Sequence, residues 1–534
     1  MFKKVLKLLF VFTAFMLVFG TVNTLAANSG VKKQILSAIE PKGITSVYKG
    51  QTLKLRALSD YSATVSAKID GKTVTLKRTT EKEGSLYWFE GTYKFSAVYD
   101  GENLGAIEFT GKLNNQTETK RTAGLRGMKT PVNIEADTSG SDTSLEAVSG
   151  AKVEVTKKYI DVFKTEDKGE DYAAPYYYNL PEGTIDFIKS TNDTTYELQS
   201  GRKVKKDDVR VVSNNAKVEE SVVSGVSVST DDEMTYVEIK NDWNVPFNVE
   251  AQPFTYSSGN SVTAYKPDKV VITLDYTADI DVSRVRLPSG SAFSDIDWYT
   301  TKSGNVKQGV IELTLSEKGK YYGAYAEYDD GTLTLRFFNP IRRLSDARIV
   351  IDPGHGNNGG KNKDSGAIGI DGSYESKLNL DKAMALRDEL EARGATVYML
   401  DTDKEDFKDL YKRCQTAYDW EPHIYISVHH NSGSASARGV ETYYNTPFSM
   451  PLAKNINTSI YQAYLMMDYS SGAKNRGYKF SEFAVTRQKQ FASVLVEYGF
   501  VTNSQEMAVL KKPENVITFA KYTADGIASY FAGN

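Results

Sequence analysis

Four histidines serve a chain of 534 residues, and all four fall between His355 and His430. His355 stands in Ile349-Val350-Ile351-Asp352-Pro353-Gly354-His355-Gly356, where an apolar run enters a Pro-Gly turn. Its ring is therefore expected at the exit of a buried strand, on backbone that a ligand can approach closely. His429 ends the apolar run Ile424-Tyr425-Ile426-Ser427-Val428 in the same way. Two imidazoles at neighbouring strand exits can meet on one metal ion, but they need a third ligand. Glu375 opens the helical segment Glu375-Ser376-Lys377-Leu378-Asn379-Leu380 and offers a carboxylate on the same side of a sheet if the chain returns as a crossover. Two histidines, one carboxylate and an open water position are the ligand set of catalytic zinc. A first-turn glutamate that only complements the helix dipole is the ordinary alternative, and spacing leaves both open. Glu497 closes the apolar run Leu495-Val496-Glu497-Tyr498-Gly499-Phe500, where an acid is costly to bury unless paired or functional. It is the candidate general base.

These residues need a frame that brings strand exits together. After Arg343, apolar runs at Ala347 to Ile351, Ala395 to Leu400, His423 to Val428 and Val494 to Val496 alternate with helical patterns at Glu375 to Arg393, Glu405 to Trp420, Pro451 to Tyr469 and Glu514 to Tyr530. That alternation predicts an α/β domain with a mostly parallel sheet, whose ligands sit beyond the carboxyl ends of the strands. Cys414, the only cysteine, falls with Phe407, Leu410 and Ala417 on one helical face and reads as core. With no second cysteine there is neither an intramolecular disulfide nor a CxxC metal site.

Six ordered blocks make a resemblance specific: Asp352-Pro353-Gly354-His355-Gly356, Glu375 with Lys377-Leu378-Asn379-Leu380, Ser427-Val428-His429-His430-Asn431, Arg438-Gly439-Val440-Glu441-Thr442-Tyr443-Tyr444, Arg476-Gly477-Tyr478-Lys479 and Val496-Glu497-Tyr498-Gly499-Phe500-Val501-Thr502-Asn503. Over about Arg348 to Tyr530 the chain resembles the autolysin-type, zinc-dependent N-acetylmuramoyl-L-alanine amidases. The resemblance implies zinc ligands at His355, Glu375 and His429 and the catalytic glutamate at Glu497. It selects His429 over His430, which becomes pocket lining or second layer, while His423, at the opposite end of its strand, is structural. Three features depart from the family pattern: a longer loop from Asn357 to Asp364, Asp401-Thr402 in place of a Thr-Arg pair, and Ala492 in place of a proline. Arg487 is either a muropeptide carboxylate ligand or an ordinary surface arginine.

Upstream the chain reads as all-β. Alternating runs from about Lys42 to Arg126, with turns at Asp70-Gly71 and Asp100-Gly101, predict a β-sandwich module over 35–128. The Thr-, Ser- and Gly-rich stretch around Asp137 to Ser144 predicts a linker over 129–150. Residues 151–212, with Tyr172, Tyr176, Tyr177 and Tyr178, resemble a bacterial SH3-like β module, the tyrosines being either a sugar platform or simply its core. Residues 219–340 are similar in strand layout to the AMIN-type β-sandwich, whose implied role is wall targeting. The zinc-amidase domain is placed at 346–534. Lys3, Lys4 and Lys7 followed by the apolar run Leu8 to Phe19 and Thr24-Leu25-Ala26-Ala27 predict a signal peptide over 1–26, too short to span a membrane that needs about 20 apolar residues.

The 65 basic and 68 acidic side chains give a formal charge of −3, which removes the usual warrant for nucleic-acid binding. Loss of the leader takes the charge to −6, and no membrane span is expected to remain. The reading is thus a secreted, cell-wall-associated peptidoglycan hydrolase that uses Zn2+, acts on peptidoglycan and leaves room for a protein activator or regulator. A zinc peptidase cutting within the stem peptide and a non-catalytic wall-binding protein are the alternatives.

Overall fold

The computed structural model describes residues 35–128 and 149–533 apart from short internal stretches, the longest being 165–176. The predicted signal peptide, most of the predicted linker, Tyr172, Tyr176, the loop at 357–363 and the pair at 401–402 lie outside the described residues. The chain divides into two compact units, Met1–Asp142 and Thr143–Asn534.

In the first unit eight strands follow one another in a single hydrogen-bonded order, whose two halves share one long strand and enclose a common core. The shared strand is Lys72–Glu83, which pairs with Thr64–Ile69 through its first half and with Leu86–Lys94 through its second. The register shifts between Arg78 and Lys82, and such a break lets one long strand bend and serve both halves. Leu55, Phe89 and Phe109 fill the core within.

The second unit begins with a six-stranded antiparallel sheet of short strands between Lys152 and Ser213. A five-stranded and a four-stranded sheet follow, between Ser221 and Phe338. Their strands alternate in burial, and Phe337 of one meets Phe293 of the other edge to face at 4.9 Å between ring centres. Tyr178 is buried against Phe247, which makes it core.

The last region carries a six-stranded sheet. Its strands are β1 (Arg348–Pro353), β2 (Thr396–Met399), β3 (Ile424–Asn431), β4 (Val440–Tyr444), β5 (Asn475–Phe480) and β6 (Ala492–Phe500), in the order β2-β1-β3-β6-β4-β5. All neighbours are parallel except β4 against β6. Ile349, Val350 and Ile351 are all buried, as expected of a strand covered on both faces. Helices α1 (Glu375–Ala392), α3 (Met450–Leu465) and α5 (Pro513–Ala532) pack on the sheet and on one another, while α2 (Leu410–Trp420) lies against β1. A short α4 (Ser504–Leu510) follows β6. Leu378, Ala383, Leu386 and Leu390 form the buried stripe of α1.

One hydrophobic core runs from the short-stranded sheet through the two larger sheets into this α/β region. Tyr159 stacks on Tyr418 of α2 at 5.0 Å, and the Tyr325 hydroxyl donates to the Pro422 carbonyl at 3.1 Å. Arg336 forms a buried ion pair with Glu421. Within this unit the β regions are therefore walls of the α/β region rather than beads on a string.

Candidate metal centre

The parallel pairing sets β1, β3 and β6 level, with Asp352 opposite Ser427 and His429 opposite Glu497. The turn leaving β1 is clamped from beneath. Asp352 is buried and accepts hydrogen bonds from the hydroxyls of Tyr425 (2.7 Å) and Ser427 (2.8 Å). It also pairs with Arg413 of α2, whose guanidinium donates to the carbonyls of Pro353 and His355 as well. Burial would raise Asp352, but Arg413 and the two hydroxyls outweigh it and hold its carboxyl below its usual range. The clamp holds His355 at φ +61°, a left-handed conformation that costs a non-glycine residue on the order of 1–3 kcal/mol.

So held, the His355 ring accepts two carboxylate neighbours. Nδ1 lies 2.9 Å from Asp364 Oδ1 and Nε2 lies 3.2 Å from Glu375 Oε1. His429 Nδ1 approaches the same Glu375 oxygen at 3.0 Å. The other oxygen of Glu375 accepts from the Ala367 amide at 2.8 Å, which fixes the carboxylate's orientation. Ligand atoms of His355, Glu375 and His429 all lie within 4.8 Å of one another. Donors about 2.0–2.1 Å from a tetrahedral ion stand roughly 3.3 Å apart, close to the 3.2 and 3.0 Å found here. Burial alone would lower His355, yet Glu375 and Asp364 raise it to about 9. Burial would raise Glu375, yet the two imidazoles hold it far below the carboxylate range.

Glycine is required twice here. A Cβ on Gly354 would fall 2.1 Å from His429 Nε2, and one on Gly366 would fall 2.6 Å from Glu375 Oε2, at a φ of +64°. Glu497 faces the cluster from β6, and its Oε2 is buried without a hydrogen-bond partner. Burial pushes this carboxyl well up, and the charges of Glu375 and Glu441 push it the same way.

Residues 349–529 match the N-acetylmuramoyl-L-alanine amidase family. The chain is 33% identical over 183 residues to the uncharacterized protein YqiI of Bacillus subtilis (strain 168), covering 34% of this chain and 84% of that one. The chain belongs to the N-acetylmuramoyl-L-alanine amidase family. It is also 34% identical over 184 residues to the N-acetylmuramoyl-L-alanine amidase LytC of the same strain, a match that takes in 34% of this chain but only 35% of LytC's length. Among solved structures, the catalytic domain of the amidase CwlV from Bacillus (Paenibacillus) polymyxa var. colistinus is 31% identical, covering 34% of this chain and 97% of that domain with a TM-score of 0.31.

In this family member the four residues singled out from sequence are brought together, and others join them. His430 turns inward: its Nδ1 meets Asn379 Oδ1 at 2.7 Å, and Asn379 also donates to the Gly354 carbonyl at 2.9 Å. Burial and the nearby Lys382 hold His430 well below its usual value, so it is neutral. His423 sits at the far end of β3, stacked on Phe338 at 3.8 Å, and its Nδ1 accepts from the Arg348 amide. Cys414 is buried, and burial drives its thiol far up, which leaves it in the core role. Arg487 departs from both expectations. It is largely buried and pairs with Asp161 of the upstream strands at 3.3 Å, because that β region covers the surface it would otherwise face.

Sequence reasoning missed Arg413 and Glu441. Glu441, opposite Glu497 in register on β4, is buried and held by Arg476 Nε at 2.7 Å, the Tyr443 hydroxyl at 2.9 Å and Lys479. An acid inside Val440-Glu441-Thr442, with cations at Arg476 and Lys479 immediately flanking Gly477-Tyr478, was the available signal.

Proposed function

We propose that this protein is a peptidoglycan hydrolase that cleaves the amide between N-acetylmuramic acid and L-alanine, with zinc held by His355, Glu375 and His429 and with Glu497 as the general base. The observation that carries the reading is the convergence of two ring nitrogens on one oxygen of Glu375, with a buried, unpaired carboxylate oxygen facing them from the next strand. A zinc ion there would supply Lewis acidity, polarising the scissile carbonyl and lowering the pKa of water to about 7.

The chain's own residues do the rest. Asp364 holds the Nδ1 side of His355, which orients the Nε2 side inward, the arrangement by which an outer carboxylate orients a metal-binding imidazole. The Ala367 amide and Asn379 do the same for Glu375. Glu497, desolvated and beside other acids, is a stronger base than a carboxylate in water. It would take the proton of the attacking water and hand it to the departing amine of L-alanine, a role worth roughly 10²–10⁴-fold in rate. Glu441 sits beside it as a fixed negative charge, itself anchored by Arg476 and Lys479.

We read the strand layout of 219–340 as an AMIN-like module and that of 151–212 as SH3-like, and the leader at 1–26 as an export signal that places the enzyme at the cell wall. Among the described residues no helix is long and apolar enough to cross a membrane. The test is mass spectrometry of fragments released from purified wall by the mature protein with added zinc. Free L-alanine amino ends with peptide-free glycan are expected. Muropeptides still joined to muramic acid but shortened within the stem would replace this reading with a zinc peptidase.

A further inference from the structure

At the pole of the α/β region opposite His355 and His429 there is a cleft of about 320 Å³. Its position follows from topology: β4 runs against β6, so Phe448 and the start of α3, which follow β4, lie beside the strand origins, roughly 25 Å from the strand exits across the eight residues of β3. The cleft has two walls from different parts of the chain. One comes from 263–266 of an upstream strand and from the connection at 318–322, and the other from the beginning of α3 and the end of α5. The walls are joined beneath it. Tyr321 meets Phe448 edge to face at 5.2 Å, the Val262 amide donates to the Tyr444 hydroxyl at 2.9 Å, and Lys320 Nζ donates to the Phe531 carbonyl.

The lining is chemically one-sided. Lys266, Lys318, Lys320 and Lys454 border the cleft, and among the described residues no carboxylate does. Lys318 is shared with the exposed Asp268 at 3.1 Å and Lys320 is committed to Phe531, whereas Lys266 and Lys454 have no side-chain partner among the described residues. This concentration of cations stands on a chain whose overall formal charge is −3. Tyr265 and Tyr530 also line it, and the Tyr265 hydroxyl is buried with no hydrogen-bond partner. Aromatic faces with a polar tip suit sugar rings, and lysine ammonium groups suit an oxyanion without demanding the planar fit of an arginine fork.

We propose that this cleft is a second saccharide site, which takes an anionic sugar unit of the wall polymer with its ring against Tyr265 and Tyr530 and its acidic group among Lys266, Lys318 and Lys454. The proposal rests on the reading of the protein as a wall hydrolase. It gives the rigid packing of the β regions on the α/β region a purpose, since neither part alone makes the cleft. Being remote from the metal centre, the site would hold the polymer while a distant segment is cut. Its acidic group is a carboxylate of the peptidoglycan or a phosphodiester of an attached polymer.

The test is co-sedimentation of the full mature chain with insoluble wall at low salt, in a Glu497→Gln background so that the matrix stays intact. Lys266→Glu with Lys454→Glu should weaken retention about ten-fold, as expected for reversing two exposed charge contacts. The same pair, with Glu497 in place, should leave turnover of a small soluble muropeptide and the Tm unchanged. Lys302→Glu, an exposed reversal on the strand Phe293–Ser303 away from the cleft, should leave retention unchanged. Repeating the assay on wall stripped of phosphodiesters with hydrofluoric acid separates the two sources. If the difference between parent and double variant vanishes, the acid is a phosphodiester; if it persists, it is a peptidoglycan carboxylate. Unchanged retention of the double variant on both walls, or an equal fall for Lys302→Glu, would overturn the proposal. Absent turnover with normal retention would count against the amidase reading alone.

Discussion

Gly354→Ala is the most economical test of how the metal centre is built. A Cβ at this position would lie 2.1 Å from His429 Nε2, against the 3.4 Å at which ordinary contact begins, so the ring has to retreat by about 1.3 Å. It has little freedom to do so, because Nδ1 of the same ring is the atom that meets Glu375. A displacement of about 1 Å in a catalytic group typically lowers rate around 10²-fold, and disturbing a ligand's support lowers metal affinity by about 10–100-fold. We expect Gly354→Ala to lose both, measured as turnover on purified wall and as zinc retained after dialysis against a weak chelator. Gly372→Ala is the control. It lies at φ +82° in the loop just before Glu375, with nothing within 4 Å of its Cβ, so it carries the backbone penalty of about 1–2 kcal/mol without the collision. Near-normal zinc and turnover in Gly354→Ala, or equal losses in the two variants, would show that His429 is not held against this turn.

Three further outcomes follow from the same geometry. Glu497→Ala should retain zinc and lose roughly 10²–10⁴-fold in turnover, whereas His355→Ala should lose zinc as well; metal analysis beside kinetics separates them, and equal zinc loss would refute the division of roles. Arg413→Met should leave Asp352 buried and unpaired, lowering stability by about 3–5 kcal/mol in denaturant melts and releasing the His355 turn; an unchanged midpoint would mean that the pair supports nothing. Asp186, buried between the short-stranded sheet and Tyr276, is raised by burial from 3.8 to about 6 despite hydrogen bonds from Ser200 and Tyr276. A raised folded-state value for an acid makes the fold most stable below the unfolded value of 3.8 and weakens it as pH rises through about 6, by something on the order of 3 kcal/mol. Asp186→Asn should remove that slope, so that its Tm advantage over the parent grows between pH 4 and pH 6 and then levels; parallel curves would refute it.

What the sequence shows of this site, and what it hides, divides along a physical line. His355, His429 and Glu497 were legible because each is a polar group at the end of an apolar run, and in a parallel sheet every such end points to one edge. Glu375 was legible only in part, since a first-turn acid has an ordinary explanation that spacing cannot dismiss. Arg413 was hidden by its neighbour: the segment reads as an amphipathic helix around Cys414, and the partner Asp352 lies 61 positions away, so only the packing of α2 on β1 makes the pair. The first unit shows the same limit, because alternation reveals strands but not which strand bends to pair with two others. The β4 strand was recoverable. Asn431 ends β3 and Val440 begins β4, and the residues between them are too few for the dozen or more that a parallel crossover requires, so β4 cannot run alongside its predecessor's direction. A strand so reversed must lie antiparallel to whatever parallel strand it joins. The loop length thus fixes the direction of β4, whereas the placing of Glu441 opposite Glu497 depends on which strand β4 joins and in what register, which only the folded sheet supplies.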